Sequence, residues 1–274
     1  MFEIVFLIVL ALIWITFASI QDLRYKEVAN WLNFSLIIFA LGFRFFYCLF
    51  SRPSFAFFYQ GLIGLGIFLV LGNLLYYSRM FAGGDAKLMI ALGAVLPFSE
   101  SFLINLKIFI TFYVVFLIVG AVYGFGWSLF LSLNNFKNFK KEFSKRFVRS
   151  KKFVYLVMFL GLCFMLFGFI ENLLFFVGIL IFILPCFYLF AKSVDEVCMV
   201  KKINVKNLTE GDWLYKNVKV GKKTIKAKWD GLSKGEIKQI KKKYKQVVIR
   251  QGIAFVPVFL ISFLILIYLW YSFW

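Results

Sequence analysis

Two aspartates at the edges of apolar segments are the residues of this sequence best placed to do chemistry. Asp22 follows the apolar run 2–20, and Asp85 directly precedes another apolar run. Two carboxyl groups can hydrolyse a peptide bond when one is ionised and activates water while the other is protonated and polarises the carbonyl. The sequence contains no histidine, which excludes serine–histidine, cysteine–histidine and two-histidine zinc mechanisms.

The segment that carries Asp85, Met80–Lys87, contains the adjacent glycines Gly83 and Gly84. Glycine has no Cβ, so the backbone can bend here and another segment can approach closely. An aspartate before an apolar run is also a preferred helix N-cap. A purely structural role for Asp85 therefore stays open when this segment is considered alone.

Taken together, the two aspartate segments resemble the motifs of the type IV leader peptidases, and especially of their archaeal branch, the preflagellin and prepilin peptidases. In that family one catalytic aspartate follows the first helix in a D-x-R link that leads to an asparagine. Asp22, Arg24 and Asn30 match this link. The resemblance implies that Asp22 is catalytic and that Arg24 supports it.

The second catalytic aspartate of the family ends a G-x-G-D element and is followed by x-K at the start of the fourth helix. Gly84, Asp85 and Lys87 match this pattern. The first glycine of the element is Ala82 here, with a glycine at the next position, Gly83, and we expect this small substitute to be tolerated. The resemblance implies a catalytic Asp85 supported by the two glycines and the lysine.

The same resemblance implies an aspartic endopeptidase that removes a short basic leader from archaellin or type IV pilin-like precursors at the cytosolic membrane surface. It extends to the segments Trp229–Ser233 and Gly252–Pro257, whereas the apolar pair within 153–190 is additional to the usual archaeal plan. No cofactor or metal is expected. The four scattered cysteines do not suggest the cysteine-rich insert and methyl transfer of bacterial relatives.

Composition indicates the elements that must position the two aspartates. The chain is 62% apolar with a mean hydropathy of +0.87, and this apolar share is far above that of soluble domains. A bilayer-spanning helix needs roughly 20 apolar residues. We therefore predict an all-α polytopic membrane protein with about eight transmembrane helices. The predicted spans are Phe2–Ile20, Trp31–Phe50, Phe55–Tyr77, about Ala86–Ile104, Ile108–Leu131, Phe153–Ile170, Leu173–Phe190 and Ile253–Phe273.

The distribution of basic residues predicts the orientation, because cytoplasmic segments are enriched in Lys and Arg. With both termini outside, all of the 32 basic residues except Arg44, Arg52 and Lys107 fall on cytoplasmic segments. This places Asp22 and Asp85 on the cytosolic side. The net charge of +19 then faces an anionic lipid leaflet, and nucleic-acid binding is not expected because no nucleic-acid module is recognisable.

The segment before the last span is expected to be a small cytosolic α+β element. Alternating apolar residues around Gly221 predict a hairpin, and Ser233 with Glu236 forms a capping box that opens a helix through about Val248. The expected division of the chain is a membrane domain at 1–193, a basic cytosolic segment at 194–251 and a final transmembrane helix at 252–274.

Helix dipoles suggest roles for the two carboxyl groups. Asp22 follows a helix C-terminus, which disfavours an anion, and Asp85 precedes a helix N-terminus, which favours one. On this argument Asp85 is the base and Asp22 the initial acid. Because like charges repel, the two carboxyls are expected to be separated in the protein without substrate.

Two alternatives stay open from the sequence, and a third, the presenilin-like proteases, is disfavoured. An ion-coupled transporter or channel could use aspartates at the membrane edge, although Arg44 is the clearest charge inside a span and is expected to snorkel to the surface. Presenilin-like proteases pair their G-x-G-D aspartate with a Tyr-Asp dipeptide, which does not occur here. A structural assembly protein would tolerate changes at either aspartate.

Overall fold

The computed structural model describes residues 2–51, 54–221, 223–229 and 231–273. Arg52, and Asp230 within the tail motif, lie outside these ranges. Within the ranges the chain forms nine α-helices, α1 (Phe2–Tyr25), α2 (Asn30–Ser51), α3 (Ala56–Tyr77), α4 (Gly83–Val95), α5 (Phe102–Asn134), α6 (Phe136–Phe167), α7 (Asn172–Cys198), α8 (Lys234–Lys243) and α9 (Val256–Phe273). Five strands accompany them, β1 (Val200–Asn204), β2 (Trp213–Leu214), β3 (Val218–Val220), β4 (Lys223–Ile225) and β5 (Gln246–Arg250).

The helical polytopic architecture predicted from hydropathy is confirmed. Six of the described helices are long and apolar enough to cross a membrane, namely α1, α2, α3, α5, α6 and α7. The predicted fourth span is wrong in extent, because α4 has only 13 residues and ends at Val95. Pro97 follows shortly and cannot donate the backbone hydrogen bond that a continuing helix needs.

The chain divides into two compact units, Met1–Gly124 with Ile253–Trp274, and Phe125–Gly252. In the first unit, α4 lies deep in the apolar core, with eight of its residues buried. It crosses α3 at very short range, because a Cβ added to Gly64 would lie 2.3 Å from the carbonyl oxygen of Gly93. The close packing at this glycine agrees with the glycine-rich sequence of α3, and it fixes the helix whose first turn carries Asp85.

Arg44, in α2, is completely buried, so the predicted snorkelling to the surface is wrong. Its guanidinium donates hydrogen bonds to the carbonyl oxygens of Ala94 (3.0 Å), Val95 (3.0 Å) and Pro97 (2.5 Å), and to that of Phe57 (2.9 Å). The guanidinium carbon also lies 4.2 Å from the ring centroid of Phe57. Carbonyls at a helix C-terminus lack helical partners and carry partial negative charge, so they satisfy this buried cation.

The second unit contains a helical hairpin of α6 and α7 that packs almost backbone to backbone. A Cβ added to Gly161 would lie 2.7 Å from the backbone nitrogen of Phe182, and one added to Gly178 would lie 2.5 Å from that of Met165. Small residues at such crossings let membrane helices pack closely. These two glycines therefore allow the close packing that holds α6 and α7 together.

The same unit contains a three-stranded antiparallel sheet in the order β1-β5-β2 and a separate β3-β4 hairpin. The hairpin predicted around Gly221 is confirmed, and this glycine has a φ of +62°. The capping box at the start of α8 is also confirmed. The predicted extension of that helix to Val248 is wrong, because alternating Val247 and Ile249 face an apolar core and form β5.

Replacing Glu236 with glutamine keeps the capping-box acceptor but removes its negative charge at the helix N-terminus, and is expected to reduce the local stability of α8 by about 0.3–1 kcal/mol at neutral pH. The backbone N–H of Ser233 donates to the Glu236 carboxylate at 3.0 Å, which lowers the pKa of Glu236 below its ordinary value. The ionised carboxylate therefore stabilises the fold above the unfolded pKa, and this contribution disappears as the pH falls through the lower folded value.

Amide hydrogen exchange across α8 measures this effect in the full chain. The wild type and the Glu236→Gln variant should differ at neutral pH and converge as the solution is acidified. Equal protection at neutral pH would show that the charge of the Glu236 carboxylate does not stabilise α8.

Candidate active site

Asp22 lies in the last turn of α1 and is buried. Its Oδ2 atom accepts a hydrogen bond of 2.9 Å from the backbone N–H of Val256, the first residue of α9. The backbone of Phe255 provides a further hydrogen bond. The N-terminus of an α-helix carries unpaired N–H groups and partial positive charge. The start of α9 is thus a site that holds the Asp22 carboxylate.

Asp85 is the third residue of α4 and is partly buried. It is not the N-cap, because that position is taken by Ala82, whose backbone forms a hydrogen bond with the Asp85 carboxylate. The Asp85 carboxyl lies within electrostatic reach of Asp22. No hydrogen bond joins the two carboxyls among those of the described residues. The two carboxyl groups therefore lie at one end of the first unit without a direct hydrogen bond between them.

Ala82, which occupies the first glycine position of the G-x-G-D element, has φ −72° and ψ 160°. This is ordinary extended backbone that any L-residue adopts without strain. The loop before α4 therefore requires no glycine at this position, which supports the expectation that alanine is tolerated there.

Gly84 lies against the link between α1 and α2. A Cβ added to Gly84 would be 3.6 Å from the Cβ of Val28 and 3.7 Å from its backbone nitrogen. These are ordinary contact distances, so the start of α4 and the link pack directly on each other. The neighbouring Gly83 has more room, since an added Cβ would be 3.8 Å from the ring of Tyr76.

The two sequence motifs are joined by a hydrogen bond. The Nζ atom of Lys87 donates to Oδ1 of Asn30 at 2.7 Å. Within the link, the backbone N–H of Ala29 donates to Oε1 of Gln21 at 3.0 Å, and Lys26 adopts a left-handed conformation with φ 59°. The lysine and asparagine that carried the resemblance therefore hold the link against the helix that bears Asp85.

Arg24, the remaining predicted supporting residue, is exposed and lines an apolar groove beside Ile20, Tyr25 and Trp31. No ion pair joins it to either aspartate in the part of the chain that the structure describes. The structure thus brings Gly84 and Lys87 to the interface between the link and α4, and leaves Arg24 at the surface.

An aromatic cluster, which we define as Phe81, Phe116, Phe255 and Phe259, adjoins the backbone segments that bond to the two carboxyls. The ring of Phe81 is 5.7 Å from that of Phe116 and 6.1 Å from that of Phe255, centroid to centroid. Phe116 and Phe259 are 4.6 Å apart. Phe81 directly precedes the loop into α4, and Phe255 directly precedes the residue that donates to Asp22. This cluster therefore positions both backbone segments.

Sequence reasoning missed the contribution of α9. The backbone donor to Asp22 is 234 positions away along the chain, and a main-chain N–H leaves no trace in residue type. A weak signal existed in Pro257, because proline is frequent in the first turn of a helix. Pro257 indicates where α9 starts, but it does not indicate that the start of α9 bonds to Asp22.

Replacing Lys87 with methionine is expected to loosen the link between α1 and α2. The lost hydrogen bond to Asn30 is charge-assisted but exposed, so we expect amide exchange across residues 26–30 to rise about five- to tenfold, equivalent to about 1 kcal/mol. The matched control, Lys151→Met, removes an exposed lysine of α6 and should leave this segment unchanged. Equal exchange rates in both variants would show that the bond does not hold the link.

The arrangement can carry acid–base chemistry, because two carboxyls that share a poorly solvated site favour a state with one proton between them. Among the residues that the structure describes, no group of three or more Cys, Asp or Glu side chains is placed to hold a metal ion.

Comparison with protein families finds a match for part of the chain. Residues 9–129 match the model of the type IV leader peptidase family. This range includes Asp22, Asp85 and most of α5, and it confirms the resemblance that the two motifs indicated. No curated protein and no solved structure matches the chain.

Proposed function

We propose, from the premise that residues 9–129 belong to the type IV leader peptidase family, that this protein is a membrane aspartic endopeptidase with Asp22 and Asp85 as its catalytic pair. Family membership supports a prepilin-type peptidase activity. The proposed substrates are precursors of archaellin or other pilin-like proteins, each with a short basic leader before an apolar segment. Cleavage takes place at the cytosolic membrane surface.

One observation carries the aspartic mechanism. The carboxyls of Asp22 and Asp85 come from different helices, yet they lie within electrostatic reach of each other at one end of the first unit. A buried carboxylate costs free energy unless hydrogen bonds satisfy it, and the backbone of α9 satisfies Asp22. A second carboxyl brought into the same neighbourhood has no evident structural advantage, whereas peptide hydrolysis requires it.

The hydrogen bonds support a division of labour between the carboxyls that is opposite to the one predicted from the sequence. Asp22 accepts backbone hydrogen bonds from Val256 and Phe255 at the positive end of α9, which favours its charged form. Asp22 is therefore the base in this proposal. Asp85, which faces the negative charge of Asp22, holds the proton.

Hydrolysis then proceeds in two balanced steps. The oxygen of a water molecule beside Asp22 forms a bond to the scissile carbonyl carbon, its proton passes to Asp22, and Asp85 gives its proton to the carbonyl oxygen. When the carbon–nitrogen bond breaks, the leaving nitrogen takes the proton from Asp22, and a hydroxyl of the intermediate returns a proton to Asp85. Each carboxyl ends in its starting state.

The place of the site supports a substrate that is cut just outside an apolar helix. A peptide bond within a helix is hydrogen-bonded and shielded, so the cut site must lie in an unwound segment near the surface. The exposed Glu27, five residues after Asp22, adds a negative charge that attracts a basic leader. In this proposal membrane lipids surround the helices, both termini are outside, and residues 194–251 form the cytosolic segment.

A reconstituted cleavage assay tests the proposal. The full chain in lipid vesicles is mixed with a pilin-like precursor, and intact mass spectrometry measures the products. We expect one cut at the junction between the basic leader and the apolar segment. A precursor with an acidic leader of equal length serves as the matched control and should be cut more slowly. Ion flux across the vesicles with an intact precursor would instead support the transporter alternative.

A further inference from the structure

Asn33, near the start of α2, carries a side-chain amide that is both buried and unpaired. The residue is 1% exposed, and neither Nδ2 nor Oδ1 has a hydrogen-bond partner among the residues that the structure describes. Burying an amide without a partner costs free energy, and most buried polar groups in proteins are paired. A ligand that binds this amide would account for it.

The contacts of Arg44 show which helix this amide faces. Asn33 and Arg44 are eleven residues apart, which is about three helical turns, so they lie on the same side of α2. Arg44 donates to the carbonyl oxygens of Ala94 and Val95 at the end of α4. The side of α2 that carries Asn33 is therefore the side that packs on α4.

The position of Asn33 along α2 matches the beginning of α4. Asn33 lies about 16 Å before Arg44 along the helix axis, and the 13 residues of α4 span about 20 Å. At the near end, Asn30 accepts from Lys87, and Asn33 follows Asn30 by one turn. The unpaired amide thus lies beside the first turns of α4, where Asp85 is.

Ser19 of α1 provides a second unpaired group next to the other carboxyl. It precedes Asp22 by three residues, so the two side chains share one face of α1. Ser19 is buried, and its hydroxyl oxygen also has no partner within the described part of the chain. Hydrogen-bonding groups that the protein leaves unused therefore flank both aspartates.

A leader-peptide substrate presents backbone groups that fit these side chains. The cut segment next to its apolar helix must be unwound, and unwinding frees N–H and C=O groups that need partners at the membrane. A side-chain amide donates through Nδ2 and accepts through Oδ1. One asparagine can therefore pair with both kinds of group on an extended peptide.

We propose that Asn33 is a substrate-binding residue of this peptidase, and that its amide pairs with the backbone of the unwound segment beside the scissile bond. This inference rests on the proposed function. The segment enters between the non-helical link 26–29 and the start of α4. These two segments meet loosely, since a Cβ added to Gly84 would still be 3.6 Å from that of Val28. The bound peptide then supplies the partners that Asn33 lacks in the free protein.

Asn33→Leu tests the inference, because leucine has nearly the same shape and lacks both polar atoms. We expect KM to rise about tenfold with kcat within about threefold, since the lost bonds hold the substrate equally before and during the reaction. The thermal midpoint of the free variant should equal or exceed that of wild type, because an unpaired buried group is replaced by an apolar one. Asn73→Leu is the matched control and should leave KM unchanged, since the Asn73 amide donates to Leu69 of its own helix, α3.

Backbone esters in the precursor show whether the amide meets the peptide backbone. Each precursor carries one ester in place of one backbone N–H within about three residues of the cut. An ester at one of these positions should raise KM about fivefold for wild type and less than about twofold for Asn33→Leu, because the partner of the lost N–H is already absent from the variant.

Three results would overturn the inference while leaving the proposed function intact. They are a wild-type KM in Asn33→Leu, ester effects of equal size in both enzymes, and a thermal midpoint of Asn33→Leu below that of wild type, which would show that the amide is paired in the free protein. A wild type that leaves every precursor uncut would instead contradict the proposed function.

Discussion

Changing either Asp22 or Asp85 to asparagine is expected to lower kcat for leader cleavage by at least about a thousandfold. Asparagine keeps the size of the side chain but can neither accept the proton of water nor deliver one to the scissile carbonyl. At position 22 the amide can still accept from the Val256 N–H through its oxygen, so the hydrogen bond at 2.9 Å and the fold should survive. The expected loss of kcat therefore comes from the chemical step and not from unfolding.

The double variant Asp22→Asn/Asp85→Asn should cleave at about the same rate as the slower of the two single variants. Groups that act as one catalytic unit give strongly non-additive losses, because removing the first already stops the proton transfers. If the rate of the double variant fell by the product of the two single losses, the two carboxyls would contribute independently. That result would contradict a shared mechanism.

Glu171→Gln provides the matched control for these variants. It also removes one carboxylate, but from the exposed turn before α7. Single-turnover cleavage and protein yield are compared across the four variants and wild type. Wild-type rates in Asp85→Asn, with the protein folded and present in equal amounts, would exclude the two-carboxyl mechanism.

Replacing Arg44 with methionine is expected to destabilise the first unit by about 3–5 kcal/mol. Methionine fills part of the space but donates no hydrogen bond, so the four carbonyl groups that accept from Arg44 lose their buried partner. Each unsatisfied buried group costs about 1–3 kcal/mol. Arg44→Lys should rescue only part of this loss, because an ammonium cannot reproduce the planar fork of a guanidinium.

The thermal midpoint in detergent measures this effect, with Arg149→Met as the control because Arg149 is exposed on α6. Arg44→Met should lower both the midpoint and the cleavage rate, since α4 carries Asp85 at its other end. The aspartate variants should lower the rate alone. A midpoint for Arg44→Met equal to that of Arg149→Met would show that the buried hydrogen bonds do not stabilise the unit.

The features that the sequence determined depend on neighbouring residues. Apolar runs of bilayer length predicted the membrane helices, and the spacing between Ser233 and Glu236 predicted a capping box that forms as expected. The two aspartate motifs likewise indicated the leader peptidase family, which the match over residues 9–129 bears out. In each case the feature depends on interactions with solvent, with lipid or with residues a few positions away. A short stretch of sequence is therefore enough to predict it.

Only the tertiary structure decided how the candidate site is completed. The Val256 N–H that holds Asp22 comes from the far end of the chain, and Arg44 is buried because the carbonyls at the end of α4 fold around it. The same is true of β5, where contacts with β1 and β2 override the continued helix. Backbone groups are alike in every residue, so the sequence cannot show which distant one will meet a given side chain. That pairing follows from how the helices pack.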